Sequence, residues 1–479
     1  MSELTLPVAH AIDAPPDPER RLRGNLGVAS IVFMVVAAAA PLGVIGGVVP
    51  LGIAQGNGAG FPATFIVATV ILLLFSVGFT AMTPYVDEAG AFFSYVRKSL
   101  GFPVGIGIAF VAIVSYLAME SAVYGLLGPA GTAVVELFGG PTLPWWLFAA
   151  AAFVVTAYLG YRNIELSSRV LAVLLTAEIA IVAVLDVVIV SRGGDHGLST
   201  GIISAHAITS GSLGIGLLFA IISYVGFEAT AIFRDEARTP ERTIPRATYL
   251  ALVLIGVFYA VTSWALISGW GDEEAVQRAT DSGGTFLSDT AQRYIGTFGN
   301  DVITVLYFTS LFACILSFHN VVSRYIFALS QRDALPAKLS RPHGRHGSPH
   351  QASLWISAAV FISVLLAVLF KLDPAAQFYT WFAGATTVGI VLLLIATSVA
   401  VLVHFARDRR NHTLWRVRIA PTLGLIGLIG SLDLILSNLK LLVGGSSGLA
   451  WVILGLLAGA FLAGTVVGSR VTGRSATHS

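Results

Sequence analysis

The chain has 479 residues, 56% of them apolar and only 11% charged, with a formal net charge of +2. Soluble globular chains carry about 25% charged residues, so the composition argues against a water-soluble enzyme, and so small a net charge gives a nucleic acid no footing. A single cysteine, Cys314, rules out an internal disulfide and any cysteine-cluster metal or redox pair.

Residues 1–23 are polar and Pro-rich and end in Arg20, Arg21 and Arg23. They read as a disordered cytoplasmic tail, without the short apolar run and small-residue cleavage site of a signal peptide. Twelve apolar segments follow, at roughly 27–52, 61–82, 101–128, 144–161, 168–190, 212–232, 247–269, 300–328, 352–370, 376–404, 419–442 and 447–469. Each is near the ~20 residues that cross a bilayer. Each must be helical, because lipid offers backbone groups no partners. With the N-terminus inside, all but five of the 28 Lys and Arg residues (Arg192, Arg278, Arg293, Lys371 and Lys440) fall on the cytoplasmic side. This is the asymmetry that positively charged inner loops produce. The expectation is an all-α membrane protein with twelve transmembrane helices and both termini cytoplasmic.

Two segments carry interruptions. Segment 1 places Pro41 mid-span, followed by Gly43, Gly46 and Gly47. Proline removes a donor and clashes with the preceding turn, so an unwound stretch is expected there; a packed proline kink is the alternative. Segment 6 places Ser223, Gly226 and the ionisable Glu228 together. A carboxylate at mid-membrane costs about 2.5–3.5 kcal/mol on insertion scales and should face the bundle interior, either as a functional group or as a protonated structural one. Breaks in segments 1 and 6 fit a 5+5 inverted repeat, each half opening on a discontinuous helix. Free N–H groups at one half-helix end suit an anion, and free carbonyls at another suit a cation. An α-amino acid carries both charges a few ångströms apart and would fit such a pair of breaks.

Other segments offer fewer signals. Tyr116 and Glu120 in segment 3 are four apart and share a helix face, which makes them candidate pocket residues, with a structural Glu as the alternative. Asp186, near the outer end of segment 5, reads as solvated. The acidic stretch 270–299 reads as an outer cap or a solvated loop. His319 reads as a hydrogen-bonded helix contact rather than a proton relay. Phe308, Phe312 and Trp381 are candidate gates. Arg97, Asp235, Glu236 and Arg324 are candidates for inner-gate ion pairs, against a solvated loop. Gly455, Gly459, Gly464 and Gly468 give segment 12 a small-residue stripe suited to helix packing.

The chain resembles the amino acid–polyamine–organocation permeases in three places: Gly226-Phe227-Glu228 followed by Asp235-Glu236 through Pro245-Arg246-Ala247; Arg324 through Ala328-Leu329 to Arg332-Asp333-Ala334-Leu335-Pro336; and Glu88-Ala89-Gly90 to Tyr95. The resemblance spans about 24–470. It implies a non-enzymatic secondary transporter of an amino acid or related amine, working by alternating access, coupled to a proton or sodium or running as an exchanger, and requiring no cofactor. A substrate-sensing receptor on the same scaffold is the alternative. It further implies a transport core over 24–404, with repeats at about 24–191 and 212–404, peripheral helices over 405–470 and a short tail at 471–479. Carried over, the substrate positions are Pro41, Gly43, Val44, Ile45 and Gly46 with Ile222, Ser223, Tyr224, Val225 and Gly226. Some members place a lysine, standing in for sodium between segments 1, 5 and 8, where this chain has Glu178; a glutamate there would carry a proton or help ligate a cation, or serve as a protonated structural contact. Arg outnumbers Lys 24 to 4, which suggests a GC-rich genome and a bacterial cytoplasmic (inner) membrane.

Overall fold

The computed structural model describes residues 26–86, 91–162, 168–228, 230, 237–281, 284–341, 349–408 and 413–477. The tail 1–23, Glu88–Gly90, Asp235 and Glu236 lie outside these residues. Helices fill the described chain, and no strand occurs in it; one isolated bridge pairs Leu26 with Ala237. Among the described residues, nine helical runs are long and apolar enough to cross a membrane.

The first apolar segment is split into α1 (Val28–Ala38) and α2 (Pro41–Gly43). From α2 the chain continues through π-helical Val44–Val48, α3 (Val49–Leu51) and π-helical Gly52–Asn57. The remaining apolar segments carry α4 (Phe61–Met82), α6 (Phe102–Leu137), α7 (Trp145–Arg162), α8 (Ser168–Ser191), α10 (Leu213–Ile222), α11 (Pro240–Ser268), α13 (Phe286–Ser330), α14 (His350–Leu369), α15 (Thr380–Arg407), α16 (Ala420–Leu442) and α17 (Ser447–Thr477). Shorter α5 (Ala91–Leu100), α9 (Ala205–Thr209) and α12 (Asp272–Asp281) lie between them. Proline opens α2, α4, α6, α11 and α16 at the first or second position, where its missing N–H costs nothing. Ser204 and Ser212 cap α9 and α10 through their side chains.

Several boundaries differ from the sequence reading: α10 ends at Ile222 where segment 6 is read to 232, α11 starts at Pro240 where segment 7 is read from 247, α17 ends at Thr477 where segment 12 is read to 469, and two more have a visible cause. Segment 3 was expected to end at residue 128, before Pro129, but α6 runs on to Leu137 with Pro129 inside it. Buried Ala130 and Gly131, the latter seated against the Phe148 ring, hold the continuation in place. Segment 8 was expected from residue 300; α13 starts at Phe286 and bends at Gly296, whose φ of 72° suits glycine. The 270–299 region is therefore built of α12 and the head of α13. The Arg278 and Arg293 guanidiniums lie 4.1 and 4.4 Å from the centre of the Trp270 ring, and Arg293 also pairs with Asp195. These contacts tie α12 and the head of α13 to Trp270 and Asp195.

Packing divides the bundle. α1 and α4 lie along α11, and α10 packs on α4. Separately, α6 packs on α13 and α7, and α14 packs on α7 and α13. α8 bridges the two groups, touching α11, α13 and α2, while α15 lies between α6 and α16. Large apolar side chains on α7, α8, α14, α16 and α17 point outward, among them Val154, Val173, Phe361, Ile429 and Trp451. An exposed apolar belt of this extent marks a lipid-facing surface.

The small-residue stripe of α17 splits in two. A Cβ at Gly464 would lie 2.7 Å from the Ile106 carbonyl oxygen, and one at Gly468 would lie 2.7 Å from Pro103 Cα; Gly455 and Gly459 face open space. The stripe's lower half therefore serves α6 within the chain. Gly464→Leu should lower stability by about 1–3 kcal/mol through overpacking, and Gly459→Leu by much less; thermal melting in detergent compares the two.

Candidate functional site

The break in the first segment falls at Ala39–Ala40, just ahead of Pro41. The residue before a proline avoids the right-handed helical region, and Ala40 sits at φ 46°, ψ 72°, a left-handed conformation uncommon for a residue with a Cβ. The expectation that the chain would unwind through Gly43, Gly46 and Gly47 is corrected: these glycines are helical. They serve close packing, because a Cβ at Gly43 would press on Leu311, and Cβ atoms at Gly46 and Gly47 would collide with Tyr307 and Leu126. Pro41, Gly43, Val44, Ile45 and Gly46 thus form the first turns after the break, and all are buried.

The exposed backbone ends of this break are met by side chains from other helices. The Tyr259 hydroxyl of α11 donates to the Ala39 carbonyl at 3.4 Å. On the far side, the Leu42 N–H donates to Glu178 Oε2 at 3.3 Å, and Ser310 Oγ donates to the same oxygen at 2.9 Å. Glu178 of α8 thereby joins the second half of segment 1 to α13. A carboxylate at a helix N-terminus is favoured by the free N–H groups and the dipole.

The second break begins where α10 ends at Ile222. Ser223 turns its hydroxyl back to the Phe219 carbonyl at 2.8 Å. The Tyr224 and Val225 N–H groups bond the carbonyls of Ile221 and Ile222, each at 3.1 Å. Gly226 then takes φ 111°, a conformation that costs glycine little. Its N–H donates to Glu228 Oε2 at 2.9 Å, and the Tyr116 hydroxyl of α6 donates to Glu228 Oε1. Glu228 therefore holds the two packing groups together at this break. The Tyr224 side chain leaves the break, pairing with Thr69 Oγ1 at 2.6 Å and donating to the Phe65 carbonyl at 3.1 Å; its ring meets that of Tyr259 edge-on, with centroids 6.5 Å apart. All four residues Ile222, Ser223, Tyr224 and Val225 are buried, and the Phe227 N–H closes the turn on the Tyr224 carbonyl at 3.1 Å.

Tyr116 and Glu120 part company in the structure. Tyr116 joins Glu228 and stacks on Phe318. Glu120 Oε1 instead pairs with His319 Nδ1 at 2.8 Å, and His319 Nε2 meets Ser353 Oγ at 2.8 Å. Glu120, His319 and Ser353 are all buried and link α6, α13 and α14. This is the helix contact expected of His319. It commits Glu120 Oε1 to this link, while the buried Oε2 has no hydrogen-bond partner among the described residues.

Asp186 corrects the sequence reading. It is buried and accepts from Thr262 Oγ1 at 2.7 Å, so it ties α8 to α11 rather than facing water. Of the gate candidates, Trp381 lines a cleft of about 420 Å³ with Gln55, Gln377 and Leu441, while Phe308 and Phe312 are half-buried. Arg97 packs over the Phe102 ring at 5.6 Å and Arg324 is exposed. The segment before α1 is tied to the one before α11, since the Arg238 N–H donates to the Leu26 carbonyl at 3.1 Å. Sequence reasoning missed Ser310, Tyr259, Tyr307 and Thr262. Nothing local marks a hydroxyl in an apolar helix as the partner of a carboxylate more than a hundred positions away.

Helices long and apolar enough to span a bilayer, an outward apolar belt and broken helices stitched by buried carboxylates define a multi-pass membrane permease. The chain belongs to the amino acid permease family, whose sequence model matches residues 30–443. It is similar to the branched-chain amino acid permease BcaP of Bacillus subtilis, 22% identical over 80% of this chain and 82% of that protein. It is also similar to the low-affinity putrescine importer PlaP of Escherichia coli, 22% identical over 91% of this chain and 93% of that protein. The serine/threonine exchanger SteT of Bacillus subtilis is 22% identical over 74% and 77% of the two chains.

The buried Glu120–His319 pair yields a stability test. Removing one partner strands the other, so His319→Ala should cost about 3–5 kcal/mol, while Glu120→Leu with His319→Leu should recover most of the loss. Thermal melting of the two variants in detergent reads the difference.

Proposed function

We propose that this permease is a secondary active transporter of an amino acid or related amine, that it works by alternating access between two helix groups, and that Glu178 carries the coupling proton. In this reading the twelve apolar segments cross the membrane with both termini in the bacterial cytoplasm, and segments 1–5 and 6–10 are inverted repeats. The single observation that carries it is the Glu178 junction, where one carboxylate of α8 holds both the freed N–H of a broken helix and a hydroxyl of α13.

The mechanism follows from that junction. Moving the second half of segment 1 against α13 has to part Leu42, Glu178 and Ser310. A charged carboxylate grips both donors strongly, since hydrogen bonds to an ionised acceptor are roughly twice as strong as neutral ones. A proton on Glu178 weakens that grip and cancels a charge that is expensive at mid-membrane. Proton binding on one side and release on the other would thus bias which arrangement prevails. The Glu228–Tyr116 bond would be a second link that rearranges when segment 6 moves against α6. The Leu26–Arg238 bond, with Arg97, Arg324, Asp235 and Glu236 as gating groups, would close the inner mouth. The matched family supports the transport activity, and relatives that import or exchange amino acids and amines support the substrate range.

The test is purified protein in liposomes, with labelled amino acids and amines, with and without a pH gradient and with and without sodium. Uptake driven by an inward proton gradient and independent of sodium is expected. Glu178→Gln should still exchange substrate but lose gradient-driven accumulation. Accumulation that follows sodium and survives Glu178→Gln would defeat the coupling assignment.

A further inference from the structure

We propose that Asp195, His196 and Glu274 form a binding site for a divalent cation of the zinc type, which fastens α12 to the loop after α8; its consequence for flux rests on the transporter reading above. The three side chains come from two separate elements, and one ligand atom of each lies within 4.8 Å of the other two. His196 Nε2 stands 3.6 Å from Asp195 Oδ2. Zinc bonds to imidazole and carboxylate are about 2.0–2.2 Å long, so the ligand atoms of a tetrahedral site stand roughly 3.3–3.6 Å apart. One edge of such a site is therefore in place, and a turn of the half-buried Glu274 side chain closes the rest. Each carboxylate also has an oxygen to give. Arg293 holds Asp195 Oδ1 and Arg278 holds Glu274 Oε1, which leaves Asp195 Oδ2 and Glu274 Oε2 for the ion. Ligating carboxylates are commonly held in this way by a hydrogen bond from outside the site.

The surroundings hold the ligands in position. The Asp195 N–H donates to the Ser268 carbonyl at 3.0 Å, and the Ser199 N–H donates to Ser268 Oγ at 3.0 Å. Trp264 Nε1 donates to the Ser199 carbonyl at 2.8 Å, so the loop is pinned to the end of α11. The His196 ring lies on Gly271, the residue before α12, where a Cβ would come within 2.9 Å of it. An imidazole with two carboxylates suits zinc, whereas calcium and magnesium take oxygen ligands. The Arg278 and Arg293 guanidiniums oppose a dication, while Asp272 and Glu273 in the first turn of α12 add negative charge. α12 packs in turn on Val49–Leu51 and on π-helical Gly52–Asn57, the end of segment 1. An ion here would hold that end to the loop after α8, and flux that needs the end to move would slow.

The experiment titrates zinc chloride into the purified full-length chain, free of any affinity tag and stripped of metal, and reads isothermal titration and thermal shift in detergent. A saturable site for one ion per chain is expected, with calcium and magnesium giving no comparable shift. His196→Ala, at an exposed side chain, and Glu274→Gln should each weaken zinc by about tenfold or more. The exposed His206→Ala, and His343→Ala with His346→Ala, should leave the titration unchanged. No saturable binding, or binding that survives His196→Ala, leaves only the ion pairs with Arg278 and Arg293 and overturns the site. Loss with His196→Ala but not with Glu274→Gln overturns the link to α12. In liposomes, saturating zinc should slow substrate flux through the wild-type chain and leave flux through His196→Ala untouched. If zinc binds and wild-type flux does not change, the consequence for segment 1 falls and the site stands. If no substrate moves at all, the transporter reading falls, and the titration still decides the site.

Discussion

The molecule turns on one carboxylate oxygen. Glu178 Oε2 accepts from the backbone of one helix and the hydroxyl of another, and all three residues are buried. A break in a membrane helix leaves backbone groups that cost several kcal/mol each if unsatisfied. The chain answers with side chains: Glu178 and Tyr259, from helices distant in sequence, at the first break, and at the second the break's own Glu228, held in turn by the distant Tyr116. Each bond joins elements from different parts of the chain, so the breaks are held by the packing of the bundle and not by their own turns.

The buried acids are not equivalent. Glu120 is enclosed by α6, α13 and α14 within a single packing group and has a histidine for company. Asp186 fastens α8 to α11 through Thr262. Glu178 and Glu228 lie where the groups meet, and only these two touch the interrupted backbone. Position, not residue type, separates the acids that join intact helices from those that meet a break.

The sequence disclosed what is local. Pro41 announced the first break, and Ser223, Gly226 and Glu228 announced the second, because each perturbs its own turn. Apolar length found the helical segments for the same reason. Register was less legible: the glycines after Pro41 looked like sites of unwinding, yet they are helical and admit Tyr307 and Leu126. Pairings were not legible at all. The residues of Tyr116–Glu228 are 112 apart and those of Ser310–Glu178 are 132 apart, and nothing in either neighbourhood names its partner. Asp186 was misjudged because its distance along α8 said nothing about the Thr262 hydroxyl facing it.

Ala40 has a consequence of its own. Glycine would occupy its left-handed conformation at no steric expense, but glycine would also permit many others. An alanine admits few alternatives, and the proline beside it fewer still. The discontinuity is therefore pinned to a single peptide unit, like a crease pressed into stiff card, and the angle between the two rods is fixed there instead of being left to a slack cord.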